Sequence, residues 1–382
     1  MDTFSFSIPQ NIVFGKGSLK ELPLLAKKLK KSKAFIISGP HLKKIGMVTK
    51  CEEALSLAGM ESAAFTETEG NPSTETVEKA TEAFKNSGAD FIVAFGGGSP
   101  LDVAKAVAIL AVYGGKITDY EGGGKVPGPV VPMIAVPTTA GTGSEVTAFS
   151  VITDHSRNYK LTVVSNYLLP AYAILDPELI TGVPASTAAA CGVDAMVHAL
   201  EAYISLAASP FSDIFARKAL ELIGKYIRSY VADRKNETAA EGMLMGSLFA
   251  GIAFSHARLG DVHAMSHPVS AYFNVAHGVA NAILLPTIVT FNAPSDRGKY
   301  YDIYKSIAGC PVEKNAFSPD MLASALRELN AELGIPAGLK EVGVKEELFE
   351  AMAEDAMKSG NIAVNPRETT KDIVIDLYKK AF

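Results

Sequence analysis

The stretch Phe91 to Asp102, FIVAFGGGSPLD, constrains the fold more than any other part of the chain. A short apolar run, mostly β-branched or aromatic and too brief for a buried helix, gives way to three glycines and then to Ser-Pro-Leu-Asp. This reads as a strand, a tight turn and a helix, with Ser99 as N-cap, Pro100 in the first helical position and Asp102 in the first turn. Ala34 to Ser38 and Val131 to Val136 are apolar runs of the same kind, followed by helical patterns. Strands alternating with helices specify a parallel sheet. After Pro184 the texture changes, and 186–205, 211–231, 239–254 and 319–333 read as helices with little strand signal between them. At 382 residues the chain exceeds the ~250 to 300 at which single cores stop growing. We therefore expect an α/β domain with a parallel sheet over 1–183 and an all-helical domain over 184–382.

Composition narrows the function classes. A 48% hydrophobic, 20% charged chain excludes disordered and fibrous readings. The net charge of -5 supplies no basic field for nucleic acid or an acidic membrane surface, which leaves a small molecule as the expected target. Cys51, Cys191 and Cys310 are an odd number at wide spacings, neither a disulfide framework nor a CxxC metal pair, so a reducing cytoplasm is expected. Residues 1–15 carry no charged-then-apolar signal pattern, and uncharged stretches elsewhere are broken by Pro, Gly and His, so no transmembrane span is expected.

Two loops invite an anion. Glycines 96–98 before a helix N-terminus let backbone N–H groups and the helix dipole approach a pyrophosphate, although the same residues also suit an ordinary tight turn. A second loop, Pro137-Thr138-Thr139-Ala140-Gly141-Thr142-Gly143-Ser144-Glu145, follows the strand at 131–136 and offers hydroxyls at the same carboxyl edge of the sheet, where ligands of open α/β sheets bind.

Histidines cluster in the second half: His198, His256, His263, His267 and His277. Between Val262 and Ser295 there is no Asp, Glu, Lys or Arg, so this segment must be largely buried, and buried imidazoles need partners. Asp194 and His198 are four apart in a helical pattern, with Cβ atoms ~5 to 6 Å apart on one face, and His263 and His267 share that spacing. On one straight helix His263 and His277 would lie ~21 Å apart, so a shared site requires a bend, which Pro268 and Gly278 allow. His256, beside Arg258, and the exposed-looking His41 and His155 read as structural. One Asp with three His would offer N and O donors to a borderline divalent ion such as Fe(II) or Zn(II).

These stretches resemble the iron-containing, group III alcohol dehydrogenase family over nearly the whole chain: residues 96–105, 137–145, Asp176 through Gly192, Asp194 and His198 to Glu201, and 263–268 with His277-Gly278. The resemblance implies a dehydroquinate-synthase-like architecture, with an N-terminal NAD(P)-binding domain and a helical metal- and substrate-binding domain. It implies a metal held by Asp194, His198, His263 and His277, a proton-transfer role for His267 near the nicotinamide, and Phe254 lining the alcohol pocket. It carries cofactor roles to Asn71, Gly97, Gly98, Ser99, Asp102, Thr138, Thr139, Thr147, Phe149, Lys160 and Leu179. Two residues depart from the family pattern: Cys191, where Thr or Ser is usual, and Asp261, where an apolar residue is common. A carboxylate at Asp261 is either solvated and without a role or a disturbance to the metal shell; the first is expected, because residues two apart on a helix do not face each other.

The expected activity is reversible hydride transfer between a small primary alcohol or diol and NAD(P), with Fe(II), Zn(II) or another divalent metal as Lewis acid. Alternatives are a glycerol-dehydrogenase-like zinc enzyme, a dehydroquinate-synthase-like lyase, and a non-catalytic metal- and nucleotide-binding protein. The first strand ends in Gly39, where an acidic side chain would favour NAD. Its absence leaves space, so NADP is expected to be accepted and modestly preferred. A homodimer or larger homo-oligomer is expected, with Phe4 to Phe14 as a candidate inter-subunit strand because Phe4, Phe6 and Ile8 alternate.

Overall fold

The short apolar runs become strands. In chain order they are β1 (Asn11–Phe14), β2 (Lys33–Ile37), β3 (Glu61–Phe65), β4 (Phe91–Gly96), β5 (Gly122–Gly123), β6 (Met133–Pro137), β7 (Phe149–Asp154), β8 (Tyr159–Val164) and β9 (Tyr172–Leu175), in a computed structural model that describes all residues except 1–3, 7 and 9. Six of them form a sheet in the order β1-β9-β6-β4-β2-β3, with every neighbouring pair parallel. The other three form a smaller sheet, β5-β8-β7, in which β7 and β8 run antiparallel. The third apolar run begins its strand at Met133, two residues later than its first valine, because Pro132 has no N–H for the ladder.

Helices cover both faces of the six-stranded sheet. They are α1 (Leu22–Lys28), α2 (Pro40–Lys44), α3 (Met47–Leu57), α4 (Thr74–Ser87) and α5 (Gly98–Tyr113). Along β2, Ala34 and Ile36 pack with Leu22, Leu25 and Leu55, whereas Phe35 and Ile37 pack with Val77, Phe84 and Val107. With both faces buried, the central strands read as unbroken apolar runs. Parallel strands bring their carboxyl ends to one edge, so Gly39, Gly97, Thr138 and Leu179 all follow strand ends there.

The second half is helical: α6 (Ala185–Ile204), α7 (Pro210–Ala232), α8 (Glu237–Ala257), α9 (Asp261–Phe273), α10 (His277–Asn292), α11 (Tyr300–Ile307), α12 (Pro319–Glu332), α13 (Phe349–Met357) and α14 (Lys371–Lys380). By length and composition alone α8 is apolar enough to cross a membrane, but most of its apolar window is buried and it packs against α6 and α7 as a core helix.

The chain separates into two compact units, one of Pro9–Thr139 with Ser144–Thr181, the other of Met1–Ile8, Ala140–Gly143 and Gly182–Phe382. A single cut near 183 misses two excursions. Phe6 stacks on Phe211 and Phe215, with ring centroids 5.2 and 5.8 Å away, which ties the N-terminal segment to α7. Gly141 packs against Cys191 of α6, where a Cβ on the glycine would come within 2.8 Å of the cysteine Cβ. Of the candidate inter-subunit segment, Asn11–Phe14 is strand, and it pairs with β9 of its own sheet.

Candidate active site

Helix α6 presents Asp194, His198 and Glu201 on one buried face, at i, i+4 and i+7. Helix α9 adds His263, and His277 is the first residue of α10. Asp194 Oδ1 lies 3.9 Å from Nε2 of both His198 and His263, and 3.8 Å from Nε2 of His277. The four ligand atoms all lie within 4.8 Å of one another. Tetrahedral ligands at ~2.1 Å from an ion sit about 3.4 Å apart, so shifts of at most about 0.7 Å per side chain would bring these four atoms onto one ion.

The bend that brings His277 back to His263 is at neither expected residue. Pro268 stays inside α9, and the chain reverses at Asn274, whose left-handed backbone (φ 52°) ends the helix. Gly278 serves close approach instead: a Cβ there would stand 2.3 Å from the Ala190 carbonyl oxygen and 3.3 Å from Asp194 Cβ. Its missing side chain lets the start of α10 rest against α6.

Partners on the far side of the rings set their tautomers. His263 Nδ1 lies 2.5 Å from Glu201 Oε2, while Glu201 Oε1 accepts from the Val262 N–H at 2.7 Å. His198 Nδ1 meets the Gly141 carbonyl at 3.3 Å, an arrangement in which the ring donates. With Nδ1 protonated in both rings, each Nε2 lone pair faces Asp194, as a metal ligand requires. Burial pushes the Glu201 carboxyl up to about 7, against hydrogen bonds from backbone groups at Gly260 and Val262.

Glu201 and Asn281 join the site without having been expected there from the sequence. For Glu201 the signal was its place seven after Asp194 and three after His198; for Asn281 it was its place four after His277. Asn281 Nδ2 donates to Asp194 Oδ1 at 2.6 Å and lies 3.1 and 3.2 Å from Nε2 of His263 and His277. His267 lies outside the four-residue cluster, half-buried, its ring centroid 5.3 Å from that of His277 and 6.3 Å from that of His263. Phe254 stacks on His198 at 4.5 Å. His256 is elsewhere, 4.2 Å from the Phe6 ring.

Asp261 is not solvated. It is fully buried, Oδ2 accepts from Thr369 Oγ1 at 2.5 Å, and burial raises its carboxyl to about 7. The partner comes from 108 residues further along the chain, which no local spacing reveals.

Every candidate cofactor residue falls in the sheet unit. Helix α5 starts at Gly98 with Gly97 as N-cap, two residues before the N-cap expected at Ser99, so Ser99 is inside the helix and Asp102 is in its second turn. No side chain caps α5, which leaves its first-turn N–H groups without a side-chain acceptor, the condition under which a helix start can take an anion. Thr138 N donates to Gly96 O at 2.9 Å, and Thr139 Oγ1 would stand 3.2 Å from a Cβ on Gly97. Lys160 Nζ donates to Asn71 Oδ1 at 2.7 Å. Asp102 accepts from Ser144 Oγ at 2.8 Å and from Val151 N at 3.2 Å. Beside it, fully buried Lys105 donates to Ser144 O, Thr147 Oγ1 and Phe149 O at 2.7, 3.1 and 2.7 Å, and burial lowers its ammonium to about 8. Thr147 is buried, Phe149 is half-buried, and Leu179 belongs to the core. Space at Gly39 is limited, since a Cβ there would meet the Thr68 carbonyl oxygen at 3.1 Å.

Comparison with known proteins finds one family along both halves of the chain. Residues 9–177 match the family model "Iron-containing alcohol dehydrogenase", and 188–382 match "Fe-containing alcohol dehydrogenase family, C-terminal". The chain is 35% identical to the NAD-dependent methanol dehydrogenase of Bacillus methanolicus over 381 residues, covering 99% of each. It is 38% identical to the 1,3-propanediol dehydrogenase of Citrobacter freundii over 382 residues, again covering 99% of each. A crystal structure of a 1,3-propanediol oxidoreductase superposes with a TM-score of 0.95 at 37% identity, covering 100% of both chains. Matched by that family's models in both halves, and by such relatives along nearly its whole length, the chain belongs to the iron-containing alcohol dehydrogenase family.

Proposed function

We propose that this chain reversibly oxidises a small primary alcohol or diol to the aldehyde with NAD(P), using one divalent ion held by Asp194, His198, His263 and His277. The observation that carries the reading is the convergence of one carboxylate and three imidazole donors within 4.8 Å, with His198 and His263 held through their outer nitrogens. When bound, the ion supplies Lewis acidity that eases loss of the alcohol proton, and the nicotinamide accepts the hydride. Fe(II) is the expected metal, with Zn(II) and Ni(II) able to bind because N and O donors discriminate weakly among them.

The remaining roles belong to this chain's side chains. His267, beside His277, relays the alcohol proton, and Phe254 provides an apolar wall next to His198. The uncapped start of α5 at Gly97, Gly98 and Ser99 receives the pyrophosphate, while Asp102 and Lys105 brace the second loop through Ser144. Asn71, Thr138, Thr139, Thr147, Phe149, Lys160 and Leu179 surround the rest of the cofactor. Gly39 carries no carboxylate to repel a 2′-phosphate, which supports acceptance of NADP with a modest preference. The absence of a disulfide at Cys51, Cys191 and Cys310 fits a cytoplasmic protein, and the edge strand β1 offers a surface for a homodimer.

The test is absorbance at the reduced-nicotinamide band with a panel of short aldehydes, before and after chelation and with metal added back. Metal-dependent oxidation of NADH or NADPH is expected. A metal-loaded protein that binds nucleotide and turns over no aldehyde or alcohol would favour the non-catalytic alternative. His263→Ala and His277→Ala should each lose metal, whereas His256→Ala should keep it.

A further inference from the structure

We infer that Asn281 is a positioning residue of the metal centre: its amide donates to Asp194 and covers the side of the cluster formed by Asp194, His263 and His277. This rests on the metal reading above. Asn281 is fully buried on α10, one turn after His277. Its Nδ2 is within 2.6 Å of Asp194 Oδ1 and 3.2 Å or less of two imidazole Nε2 atoms, so it touches three of the four ligand atoms at once. Its Oδ1 is buried with no hydrogen-bond partner. A buried acceptor left without a donor is costly, so the outer surroundings do not hold this amide as it stands. What orients it is the ligand cluster.

A carboxylate has several lone-pair directions, and an ion needs one of them held toward it. The short, charge-assisted bond from Nδ2 restricts the Asp194 carboxylate to one rotation. Because Nδ2 also lies against His263 and His277, the amide occupies the approach over those three ligands and keeps water from it. An ion held by the four side chains would then be open to a substrate oxygen only on a side that includes His198, the imidazole on which Phe254 stacks.

Asn281→Leu removes the donor at similar volume, and Asn281→Asp replaces it with an acceptor facing Asp194. Metal affinity is read by competition with a chelator, and ligand geometry by the visible spectrum of the Co(II)-substituted protein. The expected result is ~10- to 100-fold weaker metal binding in the Leu variant. Its Co(II) bands should weaken as a water enters and the coordination number rises, a change that a merely structural role would not produce. The Asp variant should also bind metal more weakly at neutral pH. It decides the matter if the Leu variant does not fold, because tighter binding there would mean that an oxygen at this position faces the ion, which overturns the donor role. Unchanged affinity and spectrum in the Leu variant overturn the assignment alone. A wild-type protein that takes up no stoichiometric ion overturns the metal reading, and this inference with it.

Discussion

Replacing Glu201 with Gln exchanges one carboxylate oxygen for an NH2 group and should loosen the metal centre without emptying any volume. The carboxylate accepts from both sides, from the Val262 N–H at 2.7 Å and from His263 Nδ1 at 2.5 Å. A glutamine amide accepts at only one end. If its NH2 faces Val262, two donors oppose each other in a buried site, at a cost of roughly 1–3 kcal/mol. If its NH2 faces His263, the ring must accept at Nδ1 and carry its proton on Nε2, the atom that ligates. Either way the inward lone pair of His263 is held less well.

Loss of such an outer partner typically weakens metal binding ~10- to 100-fold, about 1.4–2.7 kcal/mol. The assay is metal titration after chelation, followed by calorimetry and by elemental analysis of the recovered protein, with the urea midpoint measured alongside. Weaker binding with a nearly unchanged metal-free midpoint is the expected pattern if the tautomer route dominates. A dissociation constant within twofold of wild type would refute the argument that Glu201 sets the His263 tautomer.

Four further outcomes are expected. Gly278→Ala must push α10 off Ala190 and Asp194, so it should cost ~1–3 kcal/mol of stability by urea denaturation and weaken metal uptake; a variant matching wild type in both would show that the contact relaxes freely. His267→Ala should keep its metal by elemental analysis but lose roughly 100-fold in kcat with an altered pH profile, whereas full metal loss would place His267 among the ligands. Gly39→Asp should move the kcat/KM ratio toward NADH by about tenfold, provided the Thr68 carbonyl shifts a few tenths of an ångström, and an unmoved ratio would separate Gly39 from the ribose. Burial, reinforced by the charge of Glu52, pushes the Cys51 thiol up to about 12, so at pH 8 a thiol reagent followed by mass spectrometry should label exposed Cys310 and spare Cys51; equal labelling would contradict that burial.

What the sequence made legible was local. The pairing of Asp194 with His198 follows from helical period alone, and the strands at Phe91 and Ala34 follow from apolar runs bounded by glycine and charge. What escaped was set by contacts between distant segments. The turn at Asn274, rather than Pro268, returns His277 to His263, and asparagine in a left-handed conformation leaves no periodicity to detect. Asp261 is buried because Thr369 reaches it, and the i, i+2 rule that made it look idle describes only its own helix.

Lys105 shows why that boundary falls where it does. As a charge in an otherwise apolar helical run it looks like a solvated position, yet it is fully buried. Its acceptors are Ser144 O, Ser144 Oγ, Thr147 Oγ1 and Phe149 O, supplied from 39 to 44 residues downstream. A buried ammonium without such partners would be prohibitively costly, so the loop and the helix must form together. Asp102 makes the same link from one turn earlier, through Ser144 Oγ and the Val151 N–H. The glycine turn at 96–98 and the hydroxyl loop at 137–145 look independent along the chain. In the folded protein, Asp102 and Lys105 tie the helix that follows the first loop to the end of the second, and that shared polar core gives both loops one geometry at the sheet edge.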